Sequence, residues 1–361
     1  MSGRNAVPPL VSFQLPGSAR CGQDRTVTLT RPASEAAGGG SPPRRPGPRR
    51  AVAVLVLAAL ATATPLLGPS AALHGTGEAA APGVGVVALL RAVLFAALCV
   101  PLGELLAGRL VRSVPGTPPR VPRSWAPLAA AAGLLAALGL ASVVATGNLM
   151  PRDLSGIDVG GLYASRDGKL ALLEVNAFLI AALCARSDRP AVRAWPLSAV
   201  VAAEALRAHP ATEHAPLLGS GLTLVHLTCA VLWAGGLLCV LRTLRLWGPV
   251  EPGAALLGLY ARVAVVLLAA VSATGVWSTL RRMPPGTVLE QLTDTAYGRA
   301  LLAKVLLVAV VAALALWARI RLSRGPDPLT ACVPARVEVV ALGLVVVVSG
   351  LLTALPLPIH W

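Results

Sequence analysis

Charged and aromatic side chains are scarce in this chain. Of 361 residues, 13% are charged and 4% aromatic, against 55% hydrophobic. A soluble domain carries about 25% charged residues. This chain therefore cannot cover itself with a polar surface, which excludes a soluble globular enzyme. The apolar content equally excludes a disordered chain. A polytopic membrane protein remains, with apolar side chains facing lipid. Catalytic signatures are missing as well. There is no G-x-x-x-x-G-K-[ST] phosphate loop, no H-E-x-x-H and no C-x-x-C-H. No inner loop is long enough for the cytoplasmic domains of an ATP-driven pump, and the chain reads as a non-enzyme. Cysteine makes no framework either. Cys21, Cys99, Cys184, Cys229, Cys239 and Cys332 contain no C-x-x-C pair, and four of them fall inside apolar runs. They read as small buried hydrophobes.

Acidic residues are outnumbered, 16 to 31, giving a net charge of +15. In a soluble protein that balance would suggest nucleic acid. Here the positive-inside bias of membrane loops explains it, and no nucleic-acid partner is expected. Residues 1–50 are rich in Pro, Gly and Arg and end in Ser41-Pro-Pro-Arg-Arg-Pro-Gly-Pro-Arg-Arg50, which reads as a disordered cytoplasmic tail. The transmembrane domain is expected over 51–361.

Apolar runs then recur to the end. About 20 helical residues cross a hydrocarbon core of about 30 Å. Nine runs qualify, near 51–73, 84–111, 125–146, 169–186, 190–206, 217–241, 254–280, 299–320 and 334–355, the fourth and fifth being the weakest. The expected architecture is an all-α, polytopic transmembrane helical bundle of about nine spans. With the N-terminus cytoplasmic, inner segments hold 21 Lys and Arg. Outer segments hold seven, namely Arg152, Arg166, Lys169, Arg207, Arg281, Arg282 and Arg299. That asymmetry sets the orientation and places the C-terminus outside.

A weak internal repeat accompanies the pattern. Gly156-Ile-Asp-Val-Gly-Gly-Leu-Tyr-Ala-Ser-Arg-Asp-Gly168 precedes the fourth run, and Gly286-Thr-Val-Leu-Glu-Gln-Leu-Thr-Asp-Thr-Ala-Tyr-Gly298 precedes the eighth. Each is followed by a basic residue, Lys169 or Arg299, and five residues later by a charge, Glu174 or Lys304. Both runs cross from outside to inside, so this would be a parallel repeat.

The soft and borderline metal ligands are one-sided. His74, His209, His214, His226 and His360 all fall outside or in the outer half of a span, as do Met150 and Met283. Imidazole and thioether together suit copper, in an oxidation state the sequence leaves open. His209 and His214 flank Glu213 in one short loop, a candidate capture element. His226 lies roughly 14 Å into its span, where a polar group marks a functional site or an interhelical hydrogen bond. Cys229, three residues on, shares its helical face. Charges inside the spans should face the bundle interior and pair. Arg91, Glu174, Glu204 and Lys304 lie in outer halves, and their repeat positions suggest a Glu174–Lys304 pair. Glu104, Arg262 and Glu338 lie near the inner face and suit snorkelling or interface roles.

Three segments carry a resemblance. His226-Leu-Thr-Cys-Ala-Val-Leu-Trp-Ala-Gly-Gly-Leu237, Thr295-Ala-Tyr-Gly-Arg-Ala-Leu-Leu-Ala-Lys304, and Arg336-Val-Glu338 through Leu351-Leu-Thr-Ala-Leu-Pro-Leu-Pro358 occur in this order. They resemble the His…Trp-x-Gly-Gly helix, the Gly-Arg…Lys helix start and the last helix of the copper resistance protein D (CopD) family, over about 147–358. Two positions depart from that pattern. Ala208-His209-Pro210 stands where the family often has Gly-His-Ala, and Ala318-Arg319 where it has Asn-Arg.

The resemblance implies a multi-pass protein of a bacterial plasma (inner) membrane. It would move copper from the outer face toward the cytoplasm or confer copper resistance. Its implied partners are the lipid bilayer and a periplasmic or extracellular copper-binding protein. The competing reading is a b-type cytochrome-like electron-transfer protein, which needs axial histidines on facing helices. A purely structural membrane subunit is a third.

Overall fold

The computed structural model describes residues 48–79, 81–146, 159–209, 215–248, 251–283, 286–324 and 332–356. The chain divides into Met1–Gly47 and Pro48–Trp361. The first unit, and with it most of the expected tail, lies outside the described residues.

Helix is the only regular secondary structure among the described residues of the second unit. Its helices are α1 (Pro48–Leu73), α2 (Val84–Arg112), α3 (Ala126–Thr146), α4 (Val159–Ala164), α5 (Arg166–Cys184) and α6 (Pro190–Arg207). Then come α7 (Pro216–Trp247), α8 (Glu251–Arg282), α9 (Val288–Asp294), α10 (Ala296–Arg324) and α11 (Cys332–Leu352). All nine expected spans are present as helices. Seven of them, α1, α2, α3, α7, α8, α10 and α11, are long and apolar enough to cross a membrane. The chain is a multi-pass membrane protein. The two weakest runs became α5 and α6, with 19 and 18 residues. Each is short and carries several charges, yet both lie in the bundle, α5 against α3 and α6, and α6 against α7. Side chains such as Leu55, Leu135, Leu183, Val266 and Leu306 point away from the protein. Such a surface is stable only against lipid.

The central contact is α2 against α7, flanked by α3, α8 and α11. Small residues allow it. A side chain at Gly103 would collide with the Gly235 backbone, and one at Gly235 with the Cys99 carbonyl. Beside them Tyr260 donates its hydroxyl to the Trp233 carbonyl at 2.6 Å, tying α8 to α7.

Sequence reading placed no helix before the fourth and eighth runs, but two short ones stand there, α4 and α9. The repeat is real at this level. Ser165 Oγ accepts from the Gly168 amide at 3.0 Å, and Thr295 Oγ1 accepts from the Gly298 amide at 2.9 Å. Both are helix N-caps three residues before a glycine. A side chain at either glycine would strike the backbone of the preceding short helix, at Leu162 or Gln291.

On the orientation expected from the Lys/Arg asymmetry, the outer end of the bundle is the one where α2 begins and α6 ends.

Candidate functional site

His226 sits on α7 about 15 Å below its start, since an α-helix rises 1.5 Å per residue. It lines a cavity of about 160 Å³ in the outer half of the bundle. Five other helices contribute to the walls: α2 gives Cys99, α6 Glu204, α8 Val271, α10 Lys304 and α11 Ser349. Sequence spacing could not have shown this convergence, because it depends on which helices are neighbours.

Thr274 on α8 orients the imidazole. His226 Nδ1 lies 3.0 Å from Thr274 Oγ1 on α8. The threonine has a single hydroxyl proton, and it goes to the Ala270 carbonyl at 2.6 Å. A carbonyl can only accept, so toward His226 the hydroxyl oxygen must itself accept. The proton of a neutral imidazole is thereby fixed on Nδ1, leaving the lone pair on Nε2. Neutral imidazole with one nitrogen tied by a hydrogen bond is the form that binds metals. Thr274 lies in an apolar run and gave no signal in the sequence.

The intramembrane charges do pair, but not as expected. Glu174 bonds Arg207 Nη1 at 3.0 Å, not Lys304. Arg207 also reaches Glu204 at 3.4 Å, and Glu204 bonds Arg91. Two arginines and two glutamates from α2, α5 and α6 thus form one buried network beside the cavity, and Glu174 is 0% exposed within it. Paired ions of balanced sign are the affordable way to bury charge. Arg207 is the partner the sequence missed. It was counted among loop charges, whereas α6 continues through it. Lys304, at the matching repeat position, lines the cavity and has no ion pair among the described residues.

The other candidates disperse. His209 is 2% exposed, with Nε2 2.9 Å from Thr223 Oγ1 and its ring packed over Gly219. It is built into the outer end and does not stand free in a loop. Met283 is likewise fully buried, not displayed in an outer loop. His74 is exposed, and its carbonyl accepts from Arg299 Nη1 at 2.7 Å. Cys229 packs against the core between α7 and α8 and does not line the His226 cavity. His214, Met150 and His360 lie outside the described residues. Among those described, no three of His, Cys, Asp and Glu converge on a single metal position.

At the inner end Glu104 is a junction and not a bland interface charge. It accepts from Ser124 Oγ at 2.6 Å and the Trp125 amide at 2.7 Å. Arg193 and Arg242 approach it at 3.5 and 3.4 Å. The Arg242 guanidinium also stacks 3.5 Å from the Trp125 ring centroid. This cluster borders an inner cavity of about 350 Å³ that also reaches Cys239 and Asp188. Glu338 is buried rather than snorkelling. It lines a third cavity, of about 230 Å³, with Trp233, Tyr260 and Arg319.

The outer arginines have a separate task. Arg166 donates to the Leu206 and His209 carbonyls, Arg282 to the Ala208 carbonyl, and Arg281 to the Ala215 carbonyl. Arg166 and Arg282 donate to carbonyls at the C-terminal end of α6, where the helical ladder runs out of donors, and Arg281 adds a second donor to the Ala215 carbonyl, which already accepts from the Gly219 amide.

No curated protein and no solved structure matches this chain. A family model does, described as Copper resistance protein D, over residues 254–352. That stretch runs from α8 to α11 and lies within the 147–358 covered by the motif resemblance. It includes Thr274, Lys304 and Glu338, while His226 on α7 precedes it. Over this C-terminal segment the chain is similar to the copper resistance protein D family.

Proposed function

We propose that this protein carries copper across a bacterial plasma (inner) membrane, from the outer face toward the cytoplasm, with its N-terminus inside. In this reading no bond of a substrate is made or broken, and copper is cargo. A periplasmic or extracellular copper-binding protein delivers it to the outer end. One observation carries the reading. His226 stands beside an intramembrane cavity with Nδ1 engaged by Thr274 and Nε2 left as a lone-pair donor. A cation entering hydrocarbon must exchange its water for protein ligands, because desolvation is otherwise prohibitive. An imidazole held in its ligand form at that depth meets the need.

The scattered candidates fit a path of weak stations better than one tight site. Conduction needs sites favourable enough to enter and weak enough to leave. The similarity to the copper resistance protein D family supports copper as the metal. The haem alternative finds no support in these helices. Among the described residues His226 is the one histidine inside a helix, and a bis-histidine haem needs a second on a facing helix.

Metal analysis of the purified protein, with its absorption spectrum, tests the proposal. Copper in a fixed ratio to protein, lost in His226→Ala, is the expected result. A Soret band, or no copper after loading, would overturn it.

A further inference from the structure

The outer and inner cavities are separated where α2 crosses α7, and a cysteine stands on each side of that crossing. Cys99, on α2, is 6% exposed and lines the outer cavity that holds His226. Cys239, on α7, is 4% exposed and lines the inner cavity that holds Glu104. Neither is in a disulfide.

Their placement is tight. The Cys99 carbonyl sits against Gly235, one helical turn before Cys239 on the same face of α7. The Cys239 thiol lies 3.9 Å from the carbonyl of Val100, the residue after Cys99. The two cysteines are therefore neighbours across a close helix contact, which exists because Gly103 and Gly235 let the backbones touch. Leu98 and Val240, which adjoin Cys99 and Cys239 in sequence, are apolar and fully buried. Along this line the donors change from imidazole to thiol to thiol to carboxylate.

We propose that Cys99 and Cys239 form a thiol relay that passes Cu(I) from the His226 cavity to the Glu104 cavity. The proposal rests on the copper reading above and adds to it the route and the oxidation state. Thiolates are soft donors that select Cu(I), and a closed-shell ion tolerates the low coordination that successive single thiols provide. Each exchange balances without redox chemistry. Copper stays Cu(I), replaces the thiol proton, and that proton leaves to water of the adjoining cavity. On release the thiolate takes a proton back and the next thiol gives one up. The relay also fits the lack of any cluster of three such ligands among the described residues, since such a cluster would trap the ion.

The test is Cu(I) uptake by proteoliposomes containing the full chain, kept reduced, with Ag(I) as a second probe. Cys99→Ala and Cys239→Ala should each slow uptake about tenfold or more, the scale on which losing a metal partner weakens a site. Cys229→Ala, which touches neither cavity, should transport like the parent. Cys99 and Cys239 variants that transport at the parent rate would overturn the relay while leaving the copper reading intact. A parent protein that moves no copper would overturn both. X-ray absorption of the Cu(I)-loaded parent gives a measure that needs no variant. Sulfur scatterers around copper are expected, and nitrogen or oxygen scatterers alone would overturn the relay.

Discussion

Thr274 fixes the tautomer of His226. Its hydroxyl is spent on the Ala270 carbonyl at 2.6 Å, so its oxygen faces Nδ1, 3.0 Å away, only as an acceptor. One side chain on α8 thus decides which imidazole nitrogen is free on α7. Thr274→Val keeps the shape and removes the acceptor. We expect copper uptake to fall several-fold, with a stability loss of about 0.6 kcal/mol, typical of a polar contact between membrane helices. Thr274→Ser should restore uptake. Uptake and thermal unfolding of the two variants, compared side by side, check this.

The α2–α7 crossing depends on two glycines. A methyl group at Gly103 would meet the Gly235 backbone, and backbone cannot move aside as a side chain can. Gly103→Ala should cost about 1–3 kcal/mol or more, the range of overpacked cores. Gly258→Ala is the control, because a methyl group there meets nothing. Equal thermal stability of the two variants would refute the close contact.

The buried charges make a sharp comparison. Removing one partner from a buried ion pair costs about 3–5 kcal/mol, because the other charge is left uncompensated. Glu174→Ala should fall in that range, since it leaves Arg207 and Arg91 to share the single carboxylate of Glu204. Lys304→Met should cost far less, as Lys304 holds no ion pair among the described residues. Comparable losses at the two positions, measured by thermal unfolding in detergent, would restore the Glu174–Lys304 pairing that the repeat suggests.

Much of this architecture was legible in the sequence, and the reason is physical. Lipid demands long apolar helices, so the ends of α2, α3 and α6 fall within a residue or two of the expected runs. The short helices α4 and α9 were not legible, because helices of 6 and 7 residues carry no periodic signal. Their caps at Ser165 and Thr295 were the available clue. Azimuth and neighbourhood were hidden too. Glu174 and Lys304 hold matching positions along their helices, yet α5 packs on α6 and α10 on α11. Cys229 shares a helix face with His226, but the cavity takes its cysteine, Cys99, from α2. The depth of His226 followed from counting residues, whereas Thr274 became visible only when α8 stood beside α7.

The central claim is that His226 serves copper and is not merely a hydrogen-bonding group. Copper uptake into proteoliposomes by the parent and by His226→Asn tests it most directly. Asparagine can still hydrogen-bond to Thr274 but is a poor copper ligand. The account predicts copper uptake by the parent and its loss in His226→Asn, with membrane insertion and unfolding temperature preserved. Uptake at the parent rate by His226→Asn would contradict it and leave His226 a structural residue.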